Sequence, residues 1–360
     1  MKLNCRLDNN GIARMVPYKP FVPTEAKKNA RTSLYRLNQL MKTKRPHIAI
    51  QRGEGIGDVL TTTPTIRAIR KLFHNECKIT YVTNTHYLDG ALEKVLRYNP
   101  DIDEVIERDM YTGQDSDILI NLHCPCVAHE QPKCTPVSRI DLFAKSVGIV
   151  LKDHQLRYYI HPKELERERD FFNTVQNPTI FVQPFASNQR RSVTHPVLKE
   201  SLKILYRDYG VCSVIVTHSK DWRSDTMWDN LPGSMLFHNA DIRRCAALMA
   251  HCNMVLCPDS SILHLAAALN IPTVGIFGPT DPKARINHYP QAVEIWGGEG
   301  LNPCPCFYSE CSIGEMCWQM ITPGRVVSKC LEHLHNTSKV NLEDLPICKE
   351  ENTGEFSIFV

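Results

Sequence analysis

Residues 253–282 read NMVLCPDSSILHLAAALNIPTVGIFGPTDP, and they decide the fold. Met254–Cys257 is an apolar run of strand length, ended by Pro258. Asp259, Ser260 and Ser261 are helix N-cap residue types, whose short side-chain oxygens accept from the N–H groups of a first helical turn. Ile262–Leu269 then reads as a small, apolar helix with Asn270 at its C-cap, and Pro272–Phe277 as a second apolar strand closed by Gly278-Pro279. Strand, helix and strand within so short a stretch make a βαβ unit, with parallel strands and a right-handed crossover.

The chemistry lies at the strand-to-helix turn. A helix N-terminus presents unpaired backbone N–H groups and the positive end of the helix dipole, so it attracts anions. Ser260 and Ser261 add two hydroxyls there, and His264 lies one turn on, on the same side. Such a turn suits a nucleotide diphosphate. The bland reading is a well-capped helix with a half-buried histidine, and these residues alone leave both open.

Upstream, the alternation repeats. His47–Gln51 is a strand, followed by the loop Arg52-Gly53-Glu54-Gly55-Ile56-Gly57-Asp58 and a helix over Val59–Phe73. Lys78–Thr83, a helix near 88–97, Val105–Ile106 and Asp117–Leu122 continue the βα order, which argues for an open parallel sheet covered on both faces. Ile180–Gln183 opens a second series, with Val211–Thr217, a helix over Asp241–His251 capped by Asn239 or Asp241, and a last strand at Val293–Trp296. The expected units are a basic arm and helix over 1–45, an α/β domain over 46–176, and another over 177–345. A dinucleotide fingerprint fails on spacing. Gly53, Gly55 and Gly57 are each two apart, and Lys78 and Thr80 stand where a ribose-binding acid would fall.

The runs PDSSILHLAAALNIPTVGIFGPTDP, GEGIGDVLTTTPTIRAIRKLF, YNPDIDEVI and SDILINLH together resemble glycosyltransferase family 9, the ADP-heptose:lipopolysaccharide heptosyltransferase group. Ser261 stands where that family usually has Gly, and Asn121 where Asp is common. The resemblance covers about 47–330. It implies GT-B architecture: two Rossmann-like domains with parallel sheets facing across a cleft, the first binding the acceptor and the second a nucleotide sugar, ADP-heptose. It casts Asp58 as the base of an inverting transfer, with Gly55, Gly57 and Thr61 on the acceptor-side loop. Asp58 reads otherwise as a mere helix cap. On the donor side it points to Ser187, Thr217, Asp259, Ser260, Ser261 and His264. The family carries a Lys after the 184–189 loop to meet the donor phosphates. Arg190 or Arg191 fills that role here, since either guanidinium can clamp a diphosphate bidentately. No metal-binding acidic pair stands near either loop, so no catalytic divalent ion is expected.

Fifteen cysteines are many for a chain with no apolar leader segment. A disulfide framework fits small secreted domains, so reduced thiols are expected. Cys304, Cys306, Cys311 and Cys317 can surround one tetrahedral metal, although CxC with wider gaps is not the usual pair of CxxC knuckles. The resemblance extends here to the protein-modifying branch of the family, where a comparable loop holds iron, so a structural Zn or Fe is the expectation. Cys124, Cys126, His129 and Cys134 give a weaker metal pattern in a loop beside the acceptor cleft.

Net charge is +3, unevenly spread. Residues 1–45 hold 11 Lys/Arg against 2 Asp/Glu, a net of +9, which leaves −6 on the remainder. The arm, read as extended over 1–23 and helical over about 25–42, suits an anionic membrane surface or a second subunit. No apolar run approaches the ~20 residues of a membrane span. The expected location is therefore cytoplasmic, at most peripheral to the inner face of the membrane. Two other classes remain. A catalytically silent assembly protein on the same scaffold would not release nucleotide from a donor. A nucleic-acid binder using the basic arm would show strongly salt-dependent binding and would give the glycosyltransferase motifs no use, so no nucleic acid is expected.

Overall fold

The computed structural model describes residues 3–7, 13–17, 33–114, 116–123, 137–217, 228–306 and 311–348. Twelve strands are described: β1 (Leu3–Leu7), β2 (Ala13–Pro17), β3 (His47–Gln51), β4 (Lys78–Thr83), β5 (Glu104–Glu107), β6 (Ile118–Asn121), β7 (Thr179–Val182), β8 (Cys212–Thr217), β9 (Ser234–His238), β10 (Met254–Pro258), β11 (Thr273–Phe277) and β12 (Ala292–Trp296). The described α-helices are α1 (33–40), α2 (Ile56–Leu72), α3 (Ala91–Leu96), α4 (Arg139–Ser146), α5 (Pro162–Asn173), α6 (His195–Tyr209), α7 (Ile242–His251), α8 (Ser261–Ala268), α9 (Lys283–Ile286), α10 (Met316–Gln319) and α11 (Pro323–Asn336).

Two parallel sheets carry the fold. The first has the order β5-β4-β3-β6, the second β12-β11-β10-β7-β8-β9. Their central strands are buried on both faces. Ile48, Ala49 and Ile50 of β3 and Met254–Cys257 of β10 are among the least exposed residues, which is why these runs read as continuously apolar rather than alternating. Helix α5 follows the first sheet in sequence but packs on α7, where Glu164 and Glu168 pair with Arg243 and Arg244. The chain finally returns to the connection between the halves: Ile160 bridges Ile347 in parallel, and Cys348 N–H donates to Ile160 O at 3.0 Å.

Several expectations are corrected. The stretch 1–23 is not an extended arm throughout, because β1 and β2 pair as an antiparallel hairpin from Leu3↔Pro17 to Leu7↔Ala13. Asn10-Gly11 between them is a strong turn signal. Of the helix expected over 25–42, residues 33–40 are helical, and 18–32 lie outside the described residues. Strand β10 runs one residue further than Cys257 and includes Pro258. That proline pairs with Ile276 as the strand's last residue, where a missing N–H matters least. Helix α8 is C-capped by Leu269, and Asn270 follows in left-handed conformation at φ 55°. The Cys124–Cys134 pattern lies outside the described residues.

Candidate active site

In each sheet the strand order reverses once, and open α/β sheets bind ligands at the carboxyl ends of the strands flanking that reversal. In the first sheet the reversal lies between β3 and β6, in the second between β7 and β10. Arg52 and the Gly53–Asp58 loop leave β3, and His123 follows β6. Gln183–Arg191 leave β7, and Asp259–Ser261 leave β10. The two crevices oppose each other, because α2 packs against α8 across the halves. The His264 ring lies against Gly57, so closely that a Cβ there would stand 2.4 Å from His264 Cδ2.

Asp58 is the third residue of α2, and its side chain does not cap the helix. The N-cap is Gly55, at φ 81°, with no side-chain cap bond. Asp58 Oδ2 instead accepts from Arg52 Nη2, and Oδ1 from Arg139 Nη1 of α4. Burial opposes ionisation of this carboxyl, but the Arg139 and Arg52 guanidiniums outweigh it and hold Asp58 below the ordinary carboxylate range. Arg52 Nη1 also donates to Gly53 O at 2.8 Å and to His123 Nδ1 at 2.9 Å, spanning the β3/β6 crevice. Burial, reinforced by Arg52, pushes the His123 pKa down. Gly55 has two reasons to be glycine: its positive φ, and Asp58 Oδ2, which would lie 3.1 Å from a Cβ.

The hydroxyl cluster of α2 faces inward. Thr61 Oγ1 donates to Asp58 O at 2.9 Å, Thr62 to Val59 O at 2.7 Å and Thr63 to Leu60 O at 2.7 Å. Pro64 lacks the N–H that would reach Leu60 O, and the Thr63 hydroxyl takes that carbonyl instead. The Thr61 hydroxyl is thus turned to its own helix, whereas Gly57 lies at the junction against His264.

In the second crevice Asp259 organises cations. Arg285 Nε lies 3.2 Å from Asp259 Oδ1, and Arg191 Nη1 3.4 Å from Oδ2. Arg191 also donates to Asp259 O at 3.0 Å and to Ser187 Oγ at 2.8 Å. Burial opposes the Asp259 charge, and Arg285 and Arg191 overcome it, so the group stays ionised far into acid. Ser260 is the N-cap of α8, with its Oγ donating to Gln183 Oε1 at 3.2 Å across the β7/β10 crevice, and Ser261 begins the helix. His264 Nδ1 meets the Tyr289 hydroxyl at 2.5 Å, and burial depresses its pKa to about 4, leaving a neutral ring at physiological pH. Thr217 ends β8, buried, with Oγ1 3.4 Å from His238 Nδ1.

Arg190 turns the other way. Its Nη2 approaches Cys306 Sγ at 3.8 Å and its carbonyl accepts from Trp318 Nε1 at 2.8 Å, so it braces the thiol loop. That loop leans on the turn after β11, since Cys306 N–H donates to Pro279 O at 2.9 Å and Trp318 covers Gly278. Cys304 and Cys317 share a hydrogen bond, and burial with the neighbouring thiols pushes Cys304 up to about 12. A Zn–S bond of ~2.3 Å needs sulfurs ~3.8 Å apart. Among the described residues no three of these sulfurs lie within 4.8 Å of one another, so the four thiols are neighbours without the closed geometry. Sequence reading missed Arg52, Arg139, Arg285, Tyr289 and Gln183. It also missed Thr280, whose buried hydroxyl has no partner among the protein atoms.

Two parallel-sheet α/β halves meeting crevice to crevice define the GT-B glycosyltransferase class. The chain belongs to glycosyltransferase family 9 (heptosyltransferase), whose family model matches residues 111–317, and it is a glycosyltransferase enzyme. No curated protein sequence matches it. Among solved structures it is similar to a glycosyl transferase family 9 protein from Veillonella parvula, at 17% identity and TM-score 0.61, covering 81% of this chain and 98% of that one. It is also similar to Escherichia coli ADP-heptose lps heptosyltransferase II, at 15% identity and TM-score 0.59, covering 81% and 99%. A third is the dodecameric iron-containing heptosyltransferase TibC of enterotoxigenic E. coli in complex with ADP-D-beta-D-heptose, at 14% identity and TM-score 0.60, covering 81% and 76%. These likenesses concern the fold. Among the described residues no helix is long and apolar enough to cross a membrane.

Proposed function

We propose that the chain transfers a heptose from ADP-heptose to a hydroxyl acceptor with inversion, the acceptor bound by 46–176 and the donor by 177–345. The observation that carries this is the Asp58 carboxylate at the first crevice, ionised and opposed to the α8 N-terminus at the second. The acceptor oxygen attacks the anomeric carbon, and its proton then passes to an Asp58 oxygen. The bond from that carbon to the ADP phosphate breaks, and the electron pair leaves with the diphosphate. The backbone N–H groups at Ser260 and Ser261 and the Arg191 guanidinium receive that charge. In this scheme the cations that stabilise the leaving group are the protein's own, without a catalytic metal. Asp259 holds Arg191 in position rather than meeting phosphate, because both its oxygens face guanidiniums.

The two arginines on Asp58 make it a weak base, so proton transfer follows bond formation to the anomeric carbon and needs a loosened Arg contact. Asp58→Asn should keep fold and ADP binding and lower turnover by ~10²–10⁴. Near-normal ADP release from ADP-heptose by that variant removes Asp58 from the mechanism. The thiol loop is proposed to draw in around one structural Zn or Fe. The protein is proposed to work in the cytoplasm, with its basic N-terminal segment against an anionic membrane face or a second copy. The acceptor hydroxyl belongs to a lipopolysaccharide core, a protein or another glycan, and a panel of these read by ADP release assigns it.

A further inference from the structure

We propose that Asp141, His154 and His288 form a divalent transition-metal site that ties the two halves of the chain together beside the cleft. Asp141 sits in the first turn of α4, two residues after Arg139, and His154 lies in the segment that follows α4. His288 comes from the other half, directly after α9 and beside Tyr289. Among the described residues this is the one group of three His, Cys, Asp or Glu side chains whose ligand atoms all lie within 4.8 Å of one another.

The distances fit an ion. His288 Nε2 is 3.0 Å from Asp141 Oδ2, and His154 Nε2 is 3.3 Å from Asp141 Oδ1. A tetrahedron with metal bonds of ~2.0–2.1 Å has edges of ~3.3 Å, so these pairs already stand at the spacing of two ligands on one metal. The two imidazoles stack with centroids 4.0 Å apart and planes 18° apart, and since a ring lone pair lies in the ring plane, one ring must turn for both Nε2 atoms to bind one ion. Without an ion, each ring turns its Nε2 toward the same carboxylate. A divalent ion would accept both Nε2 lone pairs and a carboxylate oxygen at once. The side chains are 26%, 30% and 18% exposed for Asp141, His154 and His288, which leaves a side for a water ligand and a path for entry.

Two imidazoles with one carboxylate select borderline ions such as Zn²⁺, Co²⁺ or Ni²⁺ over Mg²⁺ or Ca²⁺. The site shares no residue with the thiol loop and takes no part in the proposed transfer. Its ion binds only when the halves meet, so binding stabilises their closed arrangement.

The test is a Zn²⁺ titration of the full-length protein by calorimetry, with melting measured at each ratio. The parent should take up one equivalent that Cys306→Ser/Cys311→Ser retains and that His288→Ala loses, with affinity falling by more than ~100-fold, since even outer-sphere partners are worth 10–100-fold. Zinc should raise the melting temperature of the parent and not of His288→Ala. Co²⁺ bound at this site should give visible ligand-field bands without sulfur charge transfer. If His288→Ala fails to fold, the more exposed His154→Gln carries the same decision. Zinc uptake unchanged in the histidine variants, or uptake lost only with the cysteines, overturns the proposal.

Discussion

Gly57→Ala is the smallest change that should disturb the junction between the halves. The added Cβ would stand 2.4 Å from His264 Cδ2, 3.1 Å from Nε2 and 3.4 Å from Cγ. The ring cannot retreat, because it is buried and its Nδ1 is bonded to the Tyr289 hydroxyl. Overpacking of this kind costs ~1–3 kcal/mol. If the halves stay together, the cost appears as lost stability, at about 2–4 °C of melting temperature per kcal/mol for a unit of 150–250 residues. If they part, it appears as lost turnover, because Asp58 is the next residue and must face the α8 turn. Urea unfolding midpoints and initial rates of ADP release measure the two. Gly57→Ala/His264→Ala should recover much of the loss, since the methyl enters the space left by the ring, giving a coupling of ~1 kcal/mol or more. Additivity within ~0.5 kcal/mol would refute a direct contact between Gly57 and His264.

The depressed pKa of His264 fixes the sign of a pH effect. Between the unfolded value of ~6.5 and the folded value of about 4, the unfolded chain binds a proton that the native ring refuses, so stability falls as pH drops, by up to ~1.4 kcal/mol per unit. His264→Gln should flatten the urea midpoint between pH 7 and 4 by this one proton, and an unchanged slope would show that the ring is not buried neutral. Arg191→Ala should abolish most of the thermal protection given by ADP, while Arg190→Ala should keep it; the reverse result would exchange their roles. Protein purified without added metal should carry about one Zn or Fe on the thiol loop, absent from Cys306→Ser/Cys311→Ser by elemental analysis. Equal metal in both proteins would leave those four as ordinary thiols.

The alternating βα order was legible because the middle residues of each sheet's central strands are apolar on both faces and the turns carry breakers or caps. Asp58 and the Asp259–Ser261 turn were legible as local motifs beside a glycine loop and a helix start. Arg139 and Arg285 were not, because tertiary packing alone brings them to Asp58 and Asp259, across 81 and 26 residues of chain. Sequence left Arg190 and Arg191 open for a related reason: the 3₁₀ turn over Gln189–Arg191 points neighbouring side chains apart, one to Asp259 and one to Cys306. Whether the Thr61 hydroxyl donates to its own helix, as it does to Asp58 O, depends on its rotamer, which its place in the motif does not fix. The hairpin was missed although Asn10-Gly11 announced it, since its strands are short and the prolines around them drew the eye.

The placement of each crevice also bears on how the chain folds. In the first sheet the seam at the reversal joins Ile48 to Ile118, and in the second it joins Ile180 to Met254. Every other pairing within the two parallel sheets joins strands much nearer in sequence, as Ile48 to Ile79 or Val255 to Thr273. Loop-closure entropy rises slowly with length, by about 0.6 kcal/mol per doubling, but distant pairings form late. As the polypeptide leaves the ribosome, β3 and β7 must each wait for a partner some seventy residues behind. Each cleft therefore lies on the seam of its sheet that closes the longest loop.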